Sequence, residues 1–382
     1  MSEPGLRIGI LGGGQLGRML ALAGTPLGAR FGFLDPAADP CAAAVGPVTR
    51  APWEDLEAVR DWASGFDAIT YEFENVPPAT LAAAAERAPV APGPGVLEVA
   101  CDRLAEKRAF TAIGLAVPRY EAVDDAAAAV AALDRVGRPA MLKARRGGYD
   151  GKGQAVLGPD ADDPAVAAAF ASIGRPCLLE ERIAFDAEMS IAVVRGRDGR
   201  SLAWPVSRNV HVGGILAETR GGIAAAHPAL DPATVTEAAE GVRRLAESLD
   251  YVGVLAVEFF LAGGRLLANE MAARVHNSFH WTMDHAATGQ FENHVRAVAG
   301  WPLGATDAPR PAAMLNLVGA IPAVSEVPAD GAHRLHLYGK SPRPGRKVGH
   351  VNVVAEDVAG LERRLAALRA TLPGVLATDR PS

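Results

Sequence analysis

The sequence has little cysteine. Its three cysteines, Cys41, Cys101 and Cys177, lie far apart and form no C-x-x-C pair, so their spacing indicates neither a disulfide framework nor a zinc site. Long apolar runs are also missing, since none approaches the roughly 18 residues that a membrane-spanning helix needs. The first residues lack the charged segment and cleavage site of a signal peptide. We therefore expect a cytoplasmic protein without a membrane partner.

The chain also lacks an excess of positive charge. Its 38 basic and 44 acidic residues give a formal net charge of -6, which provides no overall attraction to nucleic acid or to anionic membranes. Any anion site must therefore be local. A length of 382 residues with 49% hydrophobic and 21% charged residues is typical of a globular protein with about two to three domains.

Lysine is scarce as well. Only five of the basic residues are lysines, and four of these lie in two glycine-containing basic segments. A chain that otherwise uses arginine has a reason to place lysine where a compact, flexible charge is needed. Chance clustering is the alternative. The lysines are Lys107, Lys143, Lys152, Lys340 and Lys347.

The segment from Lys143 to Gln154 reads K-A-R-R-G-G-Y-D-G-K-G-Q. Its four glycines allow positive φ angles and a cradle of backbone N–H groups for an anion, and the cations Lys143, Arg146 and Lys152 bracket it. Apolar runs on both sides predict two short strands, so the segment should be the tip of a hairpin. A Walker A loop instead runs from a strand into a helix. A solvated glycine-rich turn is the alternative interpretation.

Near the N-terminus, Gly12, Gly14 and Gly17 fit G-x-G-x-x-G between a strand and a helix predicted over Gln15–Ala23. Asp35 ends the next strand, roughly where a dinucleotide-binding fold places its ribose-binding acid. This pattern suits an NAD-dependent dehydrogenase. However, the fingerprint reports only a helix N-terminus that binds phosphate, and nothing later indicates hydride chemistry.

The acidic segment Y-E-F-E-N-V follows a strand predicted over Ala68–Tyr71. If that strand continues, Glu72 and Glu74 share one face. They would then lie at the carboxyl edge of a parallel sheet, where ligands of such sheets bind. An ordinary polar strand end is the alternative. Further on, Asp102 is a candidate N-cap for a helix that carries Arg103 and Lys107 four residues apart on one face.

A β-hairpin is predicted from Val252–Leu261 and Arg265–Met271. If its loop holds three or five residues, Glu258 and Glu270 lie directly opposite each other and repel. A shared divalent cation removes this repulsion, and Mg²⁺ typically binds one or two carboxylates together with nucleotide phosphates. A two-residue Gly-Gly turn is the alternative, and it would place the two acids on opposite faces.

Two later segments are rich in hydrogen-bond donors. Arg274, His276 and Asn277 place three planar or amide donors within four residues, which suits an anion. A stiff loop with two prolines and a glycine carries a cluster of cations, which in an acidic protein favours an anion over a solvated turn. The cations of this loop are Lys340, Arg343, Arg346 and Lys347.

In their order along the chain, these segments resemble the 5-(carboxyamino)imidazole ribonucleotide synthetase family, ATP-grasp enzymes of purine biosynthesis. The resemblance rests on G-G-G-Q-L-G-R-M-L, Y-E-F-E-N-V, R-R-G-G-Y-D-G-K-G-Q, N-E-M-A-A-R-V-H-N-S and P-G-R-K-V-G-H. It implies a multidomain α/β and α+β fold with a Rossmann-like pre-ATP-grasp domain (1–97), an ATP-grasp domain (98–302, lid about 118–187) and a C-terminal cap domain (303–382).

The implied reaction carboxylates 5-aminoimidazole ribonucleotide with bicarbonate and releases ADP and phosphate through carboxyphosphate. The implied cofactors are ATP and Mg²⁺, with Mn²⁺ as a possible substitute, and the implied assembly is a homodimer. By the same resemblance, the catalytic residues around bicarbonate are Arg274, His276, Asn277 and Lys143, and the metal ligands are Glu258 and Glu270.

The resemblance also assigns the two larger binding sites. The implied nucleotide site comprises Arg103, Lys143, Gly148, Tyr149, Asp150, Gly151, Lys152, Gly153, Gln154, Glu180, Glu181, Arg182, Ile183, Glu188, His211, Asn269 and Glu270. Of these, the stretch from Glu180 to Ile183 is implied to read adenine. The implied ribonucleotide site comprises Gln15, Leu16, Glu74, Tyr149, Asp150, Lys340, Arg346 and Lys347. The chain departs from the family pattern at Arg208, Ala273 and Phe279.

Two other functions stay open on the sequence. One is a different ATP-grasp ligase, such as a formate-dependent glycinamide ribonucleotide transformylase. The other is a nucleotide-binding regulator without turnover, against which the intact set of Glu258, Glu270 and Lys143 argues.

Overall fold

The computed structural model describes residues 5–147 and 153–376. The strands are β1 (Arg7–Leu11), β2 (Arg30–Leu34), β3 (Val48–Thr49), β4 (Ala68–Tyr71), β5 (Tyr120–Val123), β6 (Ala140–Ala144), β7 (Gln154–Leu157), β8 (Cys177–Glu181), β9 (Ala187–Arg195), β10 (Ser201–Ala203), β11 (Ser207–Val212), β12 (Ile215–Gly221), β13 (Gly253–Ala262), β14 (Arg265–Ala272), β15 (Ala312–Val318), β16 (His333–Leu337) and β17 (Lys347–Val354).

The α-helices of the same residues are α1 (Gln15–Gly24), α2 (Leu56–Ala63), α3 (Pro78–Ala85), α4 (Pro94–Ala100), α5 (Arg103–Ala112), α6 (Ala126–Val136), α7 (Asp163–Ile173), α8 (Pro232–Ser248), α9 (Thr282–His285), α10 (Gln290–Ala299) and α11 (Val358–Thr371). Within the described ranges, no helix has the length and apolar character to cross a membrane.

The N-terminal sheet is parallel, with strand order β3-β2-β1-β4. Its central strand β1 is an apolar run buried on both faces, which is what a parallel sheet covered by helices requires. Helix α1 packs against α10 from the middle of the chain. The predicted strands β2 and β4 and the predicted helix after the glycine fingerprint are confirmed.

A second, antiparallel sheet has the order β5-β8-β6-β7. Helices α6 and α7 cover it through a small apolar core that includes Leu133, Leu142 and Leu179. Strands β6 and β7 pair from Ala140 with Leu157 onwards, so the predicted hairpin around the glycine-rich segment is confirmed. Residues 148 to 152 of that segment lie outside the described residues.

The third sheet runs β14-β13-β9-β11-β12-β15-β17-β16, with β10 added to β9. Strand β15 pairs with β12, placing Leu315 beside Glu218. The C-terminal strands therefore continue the sheet of the central region. The basic segment between β16 and β17 thereby reaches the same cleft as the hairpin of β13 and β14.

The turn between β13 and β14 differs from the prediction. It holds only Gly263 and Gly264, both with positive φ (54° and 77°), as a tight two-residue hairpin turn requires. The predicted loop of three or five residues is therefore wrong. The two acids nevertheless pair, because a β-bulge beside Glu258 adds one residue to β14 and shifts its register. The expected pairing of Glu258 with Glu270 is confirmed, for a different reason.

Helix α11 is tied to the central sheet by a buried carboxylate. Glu218 on β12 is fully buried and pairs with Arg220 at 3.1 Å and with Arg369 of α11. A buried carboxylate needs such partners, because ionisation away from water is otherwise unfavourable. This contact holds the last helix against the sheet.

We expect Arg369→Met to lower the free energy of unfolding by about 1–3 kcal/mol, the cost of leaving a buried polar group short of a partner. Arg363→Met is the matched control, because Arg363 is exposed on the same helix. Urea denaturation followed by circular dichroism measures both variants. An equal loss in the two variants would show that Glu218 does not depend on Arg369.

Candidate active site

A cleft of about 1130 Å³ lies where the three sheets meet. It is lined by predicted site residues from every part of the chain, namely Gln15, Leu16, Glu74, Arg103, Lys143, Gln154, Glu180, Glu181, Arg182, Ile183, Glu188, His211, Glu258, Asn269, Glu270, Arg274, His276, Asn277, Lys340 and Lys347. The predicted residues Gly148, Tyr149, Asp150, Gly151 and Lys152 lie outside the described residues.

Two predicted residues do not line this cleft. Arg346 turns its guanidinium back onto its own loop, donating to the carbonyl of Ser341 at 3.1 Å. Gly153 faces the neighbouring strand, and its carbonyl accepts from the N–H of Ala144 at 2.8 Å. In both cases a hydrogen bond with nearby backbone directs the guanidinium or the carbonyl away from the cleft.

Glu258 and Glu270 face each other on the hairpin. Burial, and then the charge of Glu270, raises the pKa of Glu258 to about 7. Burial would also raise the pKa of Glu270, but Arg103, 3.2 Å away, and Lys143 lower it. The Oδ1 atom of Asn269, the residue before Glu270, is buried and has no hydrogen-bond partner among the described residues. A pair of acids that repel, beside an oxygen without a partner, fits a cation.

The described residues hold no cluster of three or more histidine, cysteine or acidic side chains that could enclose a metal by themselves. Two carboxylates alone are the donor set that Mg²⁺ uses when nucleotide phosphates complete its coordination. The residues present therefore fit a nucleotide-bound divalent cation and do not fit a structural zinc site.

Lys143 reaches the cleft from β6. Its ammonium pairs with Glu180 of β8, and the other carboxylate oxygen of Glu180 lies 2.5 Å from Lys107 of α5. Because both oxygens of Glu180 face lysines and the residue is only 1% exposed, its side chain is not directed at a base. Only the backbone of this residue remains available for the predicted contact with adenine.

The part of the cleft beyond Glu180 is more apolar. Phe185 and Phe260 stack with ring centroids 4.9 Å apart, and both line the cleft together with Ile183. Nearby, Nδ1 of His211 lies 2.6 Å from a carboxylate oxygen of Glu188. Burial lowers the pKa of His211, but the hydrogen bond and charge of Glu188 outweigh it and raise the pKa above the ordinary value.

The segment after β14 carries the predicted bicarbonate site. Arg274 donates to Glu74 at 3.4 Å, and the second oxygen of Glu74 accepts from the N–H of Ala273 at 2.8 Å. His276 places Nε2 3.5 Å from Glu258. Burial, and then the charge of Arg274, holds the pKa of His276 well below its ordinary value. These surroundings favour the neutral form of the imidazole.

Polar side chains hold this segment in place. Gln290, at the start of α10, accepts from the N–H of His276 at 2.8 Å and donates to its carbonyl at 2.8 Å. The amides of Asn277 and Asn316 donate to each other, at 3.2 and 2.8 Å. The side chain of Asn277 lines the cleft but is already engaged by a neighbour.

The N-terminus of α1 differs from expectation. Strand β4 ends at Tyr71, so Glu72 and Glu74 do not share a strand face. Instead, Glu72 accepts from the N–H groups of Gly14 and Gly17, the latter at 2.9 Å. Asp35 accepts from the N–H of Gly13 at 2.6 Å. Carboxylates of the protein thus occupy amides that the glycine fingerprint predicted for phosphate.

The basic C-terminal loop reaches the N-terminal domain. Lys340 donates to the side chain of Gln15 at the start of α1. Two distant residues that the family resemblance assigns to one ribonucleotide site therefore meet in the structure, at a side chain of α1 and away from the amides of Gly14 and Gly17.

Sequence reasoning misses several cleft residues, among them Glu106, Arg145 and His280. Glu106 lies three positions after Arg103 on the predicted helix, so the helical spacing alone could have placed it on the same face. Arg145 pairs with the N-cap Asp102 at 2.7 Å. Nothing in the sequence indicated a role for His280 except its position near His276.

Comparison with protein families divides the chain into three matched regions. Residues 6–101 match the ribonucleotide synthetase preATP-grasp domain, residues 108–291 the ATP-grasp domain and residues 312–364 the phosphoribosylaminoimidazole carboxylase C-terminal domain. Among curated proteins, the N5-carboxyaminoimidazole ribonucleotide synthase of Pseudomonas aeruginosa is 47% identical over 96% of this chain and 99% of that protein. That of Brucella melitensis is 43% identical over 91% and 96%.

Solved structures agree with these matches. The N5-carboxyaminoimidazole ribonucleotide synthetase of Thermus thermophilus superposes with a TM-score of 0.89 at 45% identity, covering 96% of this chain and 98% of that chain. The synthase of Aspergillus clavatus, solved with ADP and 5-aminoimidazole ribonucleotide, gives a TM-score of 0.83 at 26% identity over 96% and 97%.

Glu188→Gln should bring the pKa of His211 below its ordinary value. The substitution removes the negative charge and leaves at most a weaker hydrogen bond to a neutral amide, whereas burial, which lowers this pKa, remains. The imidazole resonances of His211, followed by NMR through a pH titration, measure the shift. Glu237→Gln, at an exposed site on α8, is the control and should leave the titration unchanged. An unaltered pKa in Glu188→Gln would contradict the pairing.

Proposed function

The chain belongs to the N5-carboxyaminoimidazole ribonucleotide synthase family, and from this premise we propose how its cleft carries out the ATP-dependent carboxylation of 5-aminoimidazole ribonucleotide. The observation that supports the assignment is the shared cleft. In it, the facing Glu258 and Glu270 lie beside Arg103 and Lys143 on one side and beside the segment of Arg274 on the other.

Bicarbonate is a poor electrophile, so ATP must first convert it into carboxyphosphate. The transferred phosphoryl group carries negative charge, which fixed cations stabilise, and no covalent nucleophile on the protein is needed. We assign Arg103 and Lys143 to the phosphates of ATP. The apolar rings of Phe185 and Phe260, with the backbone of residues 180–183, suit the adenine, and the Glu188–His211 pair suits its ribose.

Glu258 and Glu270 would hold Mg²⁺, or Mn²⁺ in its place. Such a cation neutralises charge on the transferring phosphate when it is bound. The two carboxylates supply the charge that attracts it, and Arg103 fixes the orientation of Glu270 from the opposite side. Asn269 lines the same cleft, and its side-chain oxygen, without a partner among the described residues, is proposed to contact the metal-bound nucleotide.

Arg274 is proposed as the bicarbonate clamp. Its guanidinium stays charged and can hold a carboxylate through two parallel hydrogen bonds. Because Nδ1 of His276 accepts from the N–H of Ser278, a neutral imidazole carries its proton on Nε2 and can donate a hydrogen bond to this anion. Asn277, braced by Asn316, completes this part of the proposed site. The exocyclic amine of the ribonucleotide then attacks the activated carbon and phosphate leaves.

The ribonucleotide is proposed to lie between the N-terminal domain and the C-terminal loop. Glu72 already accepts from the amides of Gly14 and Gly17, so these amides are not assigned to its phosphate. Lys340 and Lys347 are assigned to it instead, through charge-assisted hydrogen bonds. The remaining proposed contacts are Gln15, Leu16 and Glu74, with Tyr149, Asp150 and Arg346 kept from the family resemblance.

We also propose the larger organisation from the family. The domain bounds remain 1–97, 98–302 with a lid at about 118–187, and 303–382. A homodimer and a cytoplasmic location are proposed on the same ground.

The purified protein should release ADP only when 5-aminoimidazole ribonucleotide and bicarbonate are supplied with ATP and Mg²⁺. Chelation of the metal should abolish this release. Coupled measurement of ADP with each component omitted tests the proposal. Release that requires formate and glycinamide ribonucleotide would indicate a different ATP-grasp ligase, and nucleotide binding without turnover would indicate a regulator.

Lys340→Ala and Arg274→Ala should separate the two substrate sites. Loss of one ionic hydrogen bond to a phosphate removes about 1.5–3 kcal/mol, so Lys340→Ala should raise the ribonucleotide KM roughly 10- to 100-fold at about 1.4 kcal/mol per decade. The ATP constant should hardly change. Arg274→Ala should lower kcat even at saturating ribonucleotide, because bicarbonate loses its clamp.

Steady-state kinetics with each substrate varied in turn measure both effects. If Lys340→Ala instead raised the constant for ATP and left that for the ribonucleotide unchanged, the basic loop would belong to the nucleotide and the division of the cleft would be wrong.

A further inference from the structure

Lys107 is a buried cation without a place in the reaction described above. It lies on α5, one turn after Arg103, and is only 1% exposed. An ammonium group has three donors, and burial without partners for them would be strongly unfavourable. Its contacts therefore indicate what the folded protein uses it for.

Two of these contacts are on the bulged strand. The ammonium donates to the carbonyls of Ala268 at 3.1 Å and Asn269 at 2.8 Å, the two residues before Glu270. On the other side of Glu270, the N–H of Met271 donates to Glu106 of the same helix at 2.6 Å. Backbone groups on both sides of the acid are thus held from α5.

The third contact of Lys107 is in a different sheet. Its ammonium lies 2.5 Å from Glu180 on β8, and the second oxygen of Glu180 pairs with Lys143. The ammonium of Lys107 therefore connects to Lys143 through the carboxylate of Glu180. It connects to Glu270 through the backbone carbonyls of the two residues before it. These two groups belong to different sheets, and the residues that connect them, Lys107 and Glu180, are both buried.

We propose that Lys107 is a positioning residue that fixes Lys143 and Glu270 relative to each other across the cleft, and that the carboxylate of Glu180 serves this network and does not read adenine. The inference rests on the proposed function, because it takes Lys143 and Glu270 to act on the nucleotide phosphates and their metal. Outer contacts of this kind typically change metal or ligand affinity by about 10- to 100-fold when they are removed.

A comparison of ADP with AMP tests the proposal. In Lys107→Met, which keeps the length of the side chain but removes its charge, ADP affinity in the presence of Mg²⁺ should fall by about 10- to 100-fold. AMP affinity should stay the same, because AMP lacks the β-phosphate, which the proposal assigns to Lys143 and the metal. Isothermal titration calorimetry on the full chain measures both. Arg135→Met, which breaks an exposed ion pair with Glu121 in the second sheet, is the matched control and should change neither affinity.

Each result decides the question. An equal loss of ADP and AMP affinity in Lys107→Met would mark general structural damage and overturn the positioning role, as would no loss at all. If Lys107→Met does not fold, Glu180→Gln gives the answer. Loss of ADP affinity alone supports the network, whereas loss of AMP affinity as well assigns Glu180 to the adenine and overturns it.

The wild-type protein provides a separate check on the premise. If it binds AMP as tightly as ADP with Mg²⁺ present, the proposed phosphate site itself is wrong. If it prefers ADP and Lys107→Met keeps that preference, only the role of Lys107 fails.

Discussion

The repulsion between Glu258 and Glu270 is the constraint on which the rest of the cleft depends. Two carboxylates that face each other inside a cleft are stable only when cations surround them. The protein supplies Arg103 from a helix and Lys143 from another sheet, yet the pKa of Glu258 stays raised. The protein cations do not fully relieve this pair, which is the electrostatic reason for proposing that it takes a metal together with nucleotide phosphates.

The glycine fingerprint near the N-terminus shows how a common motif can be redirected. Its backbone amides donate to carboxylates of the same domain, with Glu72 bonded to Gly14 and Gly17, and Asp35 bonded to Gly13. A dinucleotide phosphate would have to displace these charges. The interpretation as a dehydrogenase therefore fails on a local contact that the fingerprint alone does not reveal.

Local chemistry made much of the fold predictable. Asp102 caps α5 as its side chain and position predicted, and apolar runs located β2 and β4 to the residue or nearly so. The bulge that aligns Glu258 with Glu270 was not predictable. The residues around it are held by Lys107 and Glu106 of α5, a helix that is distant from β14 in sequence. The partners of Glu72 and Glu180 were hidden for the same reason, since a carboxylate beside a strand does not reveal what will pack against it. Ordered motifs, in contrast, identified most residues of the cleft.

The contact between Lys340 and Gln15 joins residues separated by 325 positions, and it has a consequence for biosynthesis. A chain that emerges from the ribosome can complete its first parallel sheet early, because those strands are close in sequence. The part of the cleft between Lys340 and Gln15, in contrast, is incomplete until the last strands have been synthesised and have joined the central sheet. During translation, α1 and the first sheet are therefore formed before α10, which packs against α1 in the finished fold.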